Sequence, residues 1–259
     1  MDQLDELHIS LTQEFNEHGP DHDYTHVELQ TFPAHLCADW LKPISKNLKA
    51  LSIYHRNENW GPFPGYFDPS DIEFPKLDTL ALGYYTLAHD NDIDWIIAIK
   101  SLRKLILHNC MIASYMEIDP ENTKEWKFPN HDWTPMPRAA EDTLGWDQWA
   151  YSGRWSSFLD RIAAGLPNLV DFRFDQAGQY GEQPYGLNYR DVCGVRIFPR
   201  RYVVFDNGIL PTHWPEAEDD GGLHTWLEDD DGFPNLHEET LEADQQSLDR
   251  LLEKSRLRS

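Results

Sequence analysis

A short pattern, L-x-x-L-x-L with isoleucine and phenylalanine variants, recurs along this chain and limits what it can fold into. It reads Leu4, Leu7, Ile9; Leu48, Leu51, Ile53; Leu77, Leu80, Leu82; Leu102, Leu105, Leu107; and, in degenerate form, Leu169, Phe172, Phe174. Side chains alternate between the two faces of a strand, so the last two apolar residues of each copy share one face of a short strand. The first packs where the chain enters that strand. One such unit cannot bury its own apolar face, so neighbours must stack. The copies begin at 4, 48, 77, 102 and 169, spacings of 44, 29, 25 and 67 residues.

The segments between copies supply helices and insertions. Asn91-Asp92 offers an N-cap to IDWIIAIKSL, where Trp95 joins Ile93, Ile96, Ile97 and Ile99 at helical spacing. In GRWSSFLDRIAAGLPNLVDFRFD, Trp155, Phe158, Leu159 and Ile162 form one stripe, and Gly165 with Pro167 stops the helix. A helix-Leu-strand unit thus occurs twice, at 92–107 and 155–174. Segment LRKLILHNC, ending at Cys110, matches the leucine-rich-repeat signature, and the two middle spacings fit its period of roughly 20–29 residues. The expected fold is α/β: an irregular leucine-rich-repeat solenoid with a short parallel sheet, packed helices and long loop insertions, in a single domain over 1–259. Pro and Gly make 57–74 an irregular insertion. The longer insertion, 111–153, holds Trp126, Trp133, Trp146 and Trp149 and reads as partly helical near EDTLGWDQWAYS. RYVVFDNG, 201–208, reads as a strand closed by an Asn-Gly turn. LEADQQSLDRLLEKSR, 241–256, reads as a terminal helix with Leu241, Leu248, Leu251 and Leu252 on one face.

Charge narrows the partners. Residues 1–41 carry nine acidic side chains and no Lys or Arg, and residues 202–249 carry fourteen and again no Lys or Arg. These two stretches account for the whole net charge of -23. Such a chain is a poor fit to a phosphate backbone or an anionic membrane. No run of 18 apolar residues exists to span a bilayer, and MDQLDELHIS lacks the features of a secretory signal. Three scattered cysteines, Cys37, Cys110 and Cys193, suit reduced thiols inside a cell, in cytoplasm or nucleus. The acidic flanks read as solvated faces, as a docking surface for a basic partner, or as a cation site in Glu216, Glu218, Asp219 and Asp220 or in Asp229, Asp230 and Asp231. The last of these fails the spacing of a calcium loop.

The repeats, GLPNLVDFRFD, RYVVFDNGILP and the Trp-rich excursion together resemble the C-terminal region of fungal F-box/leucine-rich-repeat-like proteins, over about residues 40 to 215. The resemblance implies a substrate-recognition region of a ubiquitin-ligase receptor. The chain enters a repeat strand at Leu4, which leaves no room for an F-box within it; the resemblance then implies a fragment, a misplaced gene start or a member that has lost ligase attachment, and adaptor binding is not expected without an F-box.

No motif for catalysis emerges. GPFPG and DDGG lack the Lys of a phosphate loop, there is no G-x-S-x-G, and no two cysteines form C-x-x-C. In HGPDHDYTH, His18, Asp21, His22, Asp23 and His26 read as a polar loop. They also give the rival reading, a metal-assisted hydrolase of α/β type, although Asp23 stands where the zinc motif needs Glu. A structural or non-functional remnant is a third reading. The favoured expectation is a protein-protein interaction module with no catalytic residues, cofactor or metal, and with a basic protein partner. Its candidate contacts lie in or after the repeat strands and in the first insertion: Trp60, Tyr66, Tyr84, Tyr85, His108 and Asn109.

Overall fold

The computed structural model describes residues 4–11, 27–55, 59–62, 65–125, 129–136, 145–176, 193–206 and 237–258. Strands β1 (Glu6–Leu11), β2 (Ala50–His55), β3 (Thr79–Gly83), β5 (Lys104–His108) and β9 (Asp171–Asp175) form one five-stranded sheet in that order. Each neighbouring pair is parallel. The register follows the repeated pattern: Leu7, Leu51, Leu80, Leu105 and Phe172 stand side by side, and Ile9, Ile53, Leu82, Leu107 and Phe174 form the next row. All five copies of the pattern therefore become strands, and their shared face is the centre of the hydrophobic core.

The expected solenoid is not what these strands build. A second sheet takes the path β10-β6-β8-β7, made of β6 (Met111–Ile118), β7 (Trp133–Pro135), β8 (Asp147–Tyr151) and β10 (Tyr202–Asp206), with β4 (Thr86–Leu87) also pairing β6. Its pairing is mixed: β10 and β4 run parallel to β6, whereas β8 runs antiparallel to both β6 and β7. The insertion expected at 111–153 thus contributes three strands of this sheet, with helix α3 (Pro120–Glu125) between β6 and β7. The stretch expected to be partly helical contributes β8. Nor is the other face of the parallel sheet open, as it would be along a concave repeat surface: Ser52, Tyr54, Ala81, Ile106 and His108 are buried there. Tyr54, Ala81 and Ile106 pack with Cys193. A parallel sheet buried on both faces needs apolar or small residues on both, which is what LSIY, LALG and LILH provide.

Two residues carry the chain from one sheet to the other. Tyr84 follows β3 and Asn109 follows β5, and both take the left-handed conformation, at φ of 58° and 51°. Few residues other than Gly do so. The N–H of Tyr84 still donates to His108 O and that of Asn109 to Asp175 O, so each residue finishes the first sheet's ladder before the chain turns away. Thr86 and Met111 then pair in the second sheet. The turn recurs 25 residues apart, as do the leucines before it, so the kink is part of the repeat.

Helix α1 (Val27–His35) contains Pro33, which withholds one backbone donor, and runs into a π-helical turn, Leu36–Leu41. Helix α2 (Asp94–Ala98) is short, and helix α4 (Trp155–Gly165) buries the expected stripe of Trp155, Phe158, Leu159 and Ile162. The terminal helix, α5 (His237–Arg256), packs along α4. Leu248 and Leu251 are buried as expected, but Leu241 is exposed. The buried stripe of α5 instead includes Thr240, Asp244, Ser247 and Ser255.

Arg201 explains Thr240 and Asp244, whereas Ser247 accepts from Arg250 and Ser255 donates to Leu251 O. The Arg201 guanidinium is fully buried and donates to Asp244 Oδ2 at 2.7 Å, Thr240 Oγ1 at 2.7 Å and Phe198 O at 3.0 Å. Tyr202 Oη donates to the same carboxylate at 2.9 Å and accepts from the Trp155 N–H. Asp244 Oδ1 accepts from the Ser156 N–H, satisfying an orphan donor at the start of α4. One carboxylate therefore joins α5, α4 and the segment leading into β10. Removing one partner of a buried ion pair leaves the other charge uncompensated, at about 3–5 kcal/mol. Asp244→Ala should lower the urea-unfolding free energy by about that much, and Arg201→Met combined with Asp244→Leu should recover most of the loss.

Candidate functional site

The expected contact residues converge on the exit end of the parallel strands, where they pack more than they project. Trp60 is buried, donates its indole N–H to Gly83 O at 2.7 Å and forms a bridge with Tyr85. Its ring lies 5.1 Å from Phe67 and 5.0 Å from Tyr85, so this part of the first insertion is an aromatic extension of the core. Tyr85, His108 and Asn109 are buried too. The His108 ring stacks on Tyr54 at 5.8 Å. Gly83 has no Cβ because one would sit 1.8 Å from the Tyr54 ring. Tyr84 and Tyr66 alone among the six keep partial exposure. Tyr66 Oη donates to Asp92 Oδ1 at 2.6 Å.

Asp92 organises the loop between β4 and α2. Its Oδ2 accepts the N–H groups of Ala88 and His89 at 2.6 and 2.8 Å. Burial raises its carboxyl above the usual carboxylate range, while His89 and these donors pull it back. The next loop of the second sheet meets this one. His89 Nδ1 is 2.6 Å from Asp132 Oδ1, the Asp90 N–H donates to Asp132 Oδ2, and Trp133 Nε1 donates to Ala88 O. Tyr151 Oη donates to Asp90 Oδ1 at 2.8 Å. This cluster escaped sequence reasoning, although its signal was present as two His-Asp pairs, His89-Asp90 and His131-Asp132.

The exposed apolar surface lies elsewhere. Val27 is 60% exposed and Trp40 46% exposed, at the two ends of α1 and its π turn. None of the nine residues of α1 is buried. The Trp40 ring meets Phe32 and His35 edge-on, and His35 pairs with Asp39 at 2.6 Å. Glu6, Glu28 and Asp39 are exposed on this N-terminal segment. The helix is held from behind by the first insertion: Gly65 lies so close to the carbonyls of Leu29 and Gln30 that a Cβ would sit 2.3 Å from Gln30 O. Strand β1 is the edge of the parallel sheet and pairs only with β2 among the described residues. Edges of this kind invite pairing with another chain.

The His18–His26 region and the acidic runs at 216–231 lie outside the described residues. One cleft of about 430 Å³, at the entry end of β5 and β9, is lined by Ser101, Arg103, Pro167, Asn168, Val170 and Arg258. It offers two guanidinium groups but no carboxylate, imidazole or thiol to act as a general base. Among the described residues, no helix is long and apolar enough to cross a membrane. Comparison with known protein families, with curated proteins and with solved structures finds no match to this chain.

The three cysteines are free and buried. Burial pushes the thiols of Cys37 and Cys193 up to about 12, and that of Cys110 in the same direction. A buried thiol that stays protonated is a poor nucleophile. In native protein at pH 8 all three should react with a thiol reagent about 100-fold or more slowly than in urea-unfolded protein.

Proposed function

We propose that this chain is a non-catalytic protein-binding domain that receives a basic segment of its partner on the N-terminal face carrying Trp40. The observation that carries the reading is a half-exposed tryptophan in a stretch that has nine acidic residues and no Lys or Arg. Aromatic anchors of this type concentrate binding energy, and acidic side chains steer an oppositely charged partner; of the lysines that follow Trp40, Lys42 is paired with Asp71 and Lys49 with Asp5. The unburied helix α1 and the sheet edge at β1 lie in the same acidic stretch. The buried, protonated thiols suit a reducing compartment, cytoplasm or nucleus. The resemblance to the repeat region of F-box proteins extends the reading to recruitment of a ubiquitin-ligase substrate. Tyr66 and Tyr84, which keep some exposed surface, are second candidates for contact.

The test uses arrayed peptides that differ in net charge and aromatic content. Basic peptides bearing an apolar residue should bind, and affinity should fall as salt rises from 50 to 500 mM, roughly the range over which screening lengths shrink below 10 Å. Trp40→Ala should weaken that binding about 10-fold or more, with the melting temperature unchanged, because its ring is not part of the core. Binding that is indifferent to salt and to Trp40→Ala would contradict the proposal.

A further inference from the structure

We infer that His89, His131 and Asp132 form a binding site for a divalent transition-metal ion of the zinc class. One ligand atom from each lies within 4.8 Å of the others. His89 Nδ1 is 2.6 Å from Asp132 Oδ1, and His131 Nε2 is 3.9 Å from Asp132 Oδ2. Zinc holds nitrogen and carboxylate oxygen at about 2.0–2.2 Å in a tetrahedron, which separates neighbouring ligand atoms by about 3.3–3.5 Å. The His89–Asp132 hydrogen bond must open by about 0.7–0.9 Å for an ion to take its place.

Two nitrogens and one carboxylate choose the metal. Imidazole favours zinc, nickel and copper, whereas magnesium and calcium take oxygen-rich sets. Three protein ligands leave a position for water or for an exogenous group.

The surroundings hold the three in place. Asp132 is fixed by the Asp90 N–H at 2.9 Å, and Trp133 Nε1 ties its own segment to Ala88 O at 2.8 Å. The Asp92 carboxylate gathers the N–H groups of Ala88 and His89, which sets the position of the His89 backbone. The His89 and His131 rings stack at 5.0 Å and 14°, so the exposed His131 ring must turn for both nitrogens to point at one ion, while the Tyr66 ring meets His89 edge-on at 5.7 Å and backs the buried imidazole. Support of this kind around first ligands is what tunes a metal site. Asp90, Asp92 and Asp94 add negative charge along the same loop, with Arg161 paired to Asp94. His89 is buried, His131 is exposed and Asp132 lies between, so the site opens to solvent on the His131 side. A bound ion would staple the loop after β4 to the segment leading into β7.

The test is titration of metal-free full-length protein with Zn²⁺ and with Co²⁺. One ion per chain should bind, Co²⁺ should give the visible absorption of a four- or five-coordinate centre, and Zn²⁺ should raise the melting temperature by about 4 °C or more. His131→Ala, at an exposed position, should weaken binding about 10-fold or more while leaving the metal-free melting temperature unchanged. Asp132→Asn should weaken it as well, and the double variant His22→Ala/His26→Ala should bind as the parent does. Absence of saturable binding would overturn the inference. So would binding that survives His131→Ala and disappears in the His22→Ala/His26→Ala variant.

Discussion

The interaction on which the rest of this structure depends is the in-register stack of one apolar row. Leu51, Leu80 and Leu105 are each fully buried between neighbours of like kind, with Phe172 closing the row on β9. Parallel pairing holds these strands at one spacing, so a row of branched side chains packs without gaps only if every strand keeps the same register. Shifting one strand by a single residue would turn its leucines away from the core. The aligned exits of β3 and β5 then place Tyr84 and Asn109 level with each other, and from that level the chain turns both times into the second sheet. The aromatic group of Trp60, Phe67 and Tyr85 fills the corner so formed.

What kept this chain from being a simple stack of repeats is the use it makes of the last strand-to-strand connection. Between β5 and β9 the chain builds most of the second sheet and helix α4 before it returns. β10 and α5 then lock onto that addition through Arg201 and Asp244. The core accordingly draws on both sheets: Met111, Ile112, Tyr202, Val203 and Phe205 belong to the same cluster as the leucine rows. Repeats in a linear array contact only their neighbours. Here a strand after residue 200 packs against one that begins at residue 111, and stability is shared across the whole.

The strands of the parallel sheet were legible because a period-two pattern written five times over has few other readings. Helix α4 was legible because its stripe is wide and its stop signal clear. The second sheet was not, apart from β10, which RYVVFDNG announced as a strand. β6 is a near-continuous apolar run, MIASYMEI, whose burial on both faces erases alternation, and β7 and β8 are short and rich in Trp, which sits as well in a loop as in a strand. The polar stripe of α5 could not be read either, since Thr240 and Asp244 look like solvent-facing residues until Arg201 arrives from a distant segment. The same holds for the candidate sites. The strand-exit aromatics were found, but nothing local tells a packed Tyr85 from a projecting one. His89 and Asp132 are 43 residues apart, and only the meeting of two loops makes them a pair. Trp40 drew no notice because exposure is a property of the fold, whereas the acidic setting around it was visible from the start.

Charge and fold now bear on each other. The middle of the chain supplies most strands of both sheets, the acid-rich N-terminal stretch supplies the edge strand β1, α1 and Trp40, and the acid-rich stretch from 202 supplies β10 and most of α5. The two sheets form one cooperative core, and that separates this fold from a repeat array. Native-state hydrogen exchange tests it most directly. Amides of Leu80, Leu82, Leu105 and Leu107 in the first sheet and of Ile112, Val203 and Phe205 in the second should open with one common free energy, equal to that from denaturant unfolding. Opening energies that fall away strand by strand toward β1 and β9, or a second sheet that opens well before the first, would contradict it.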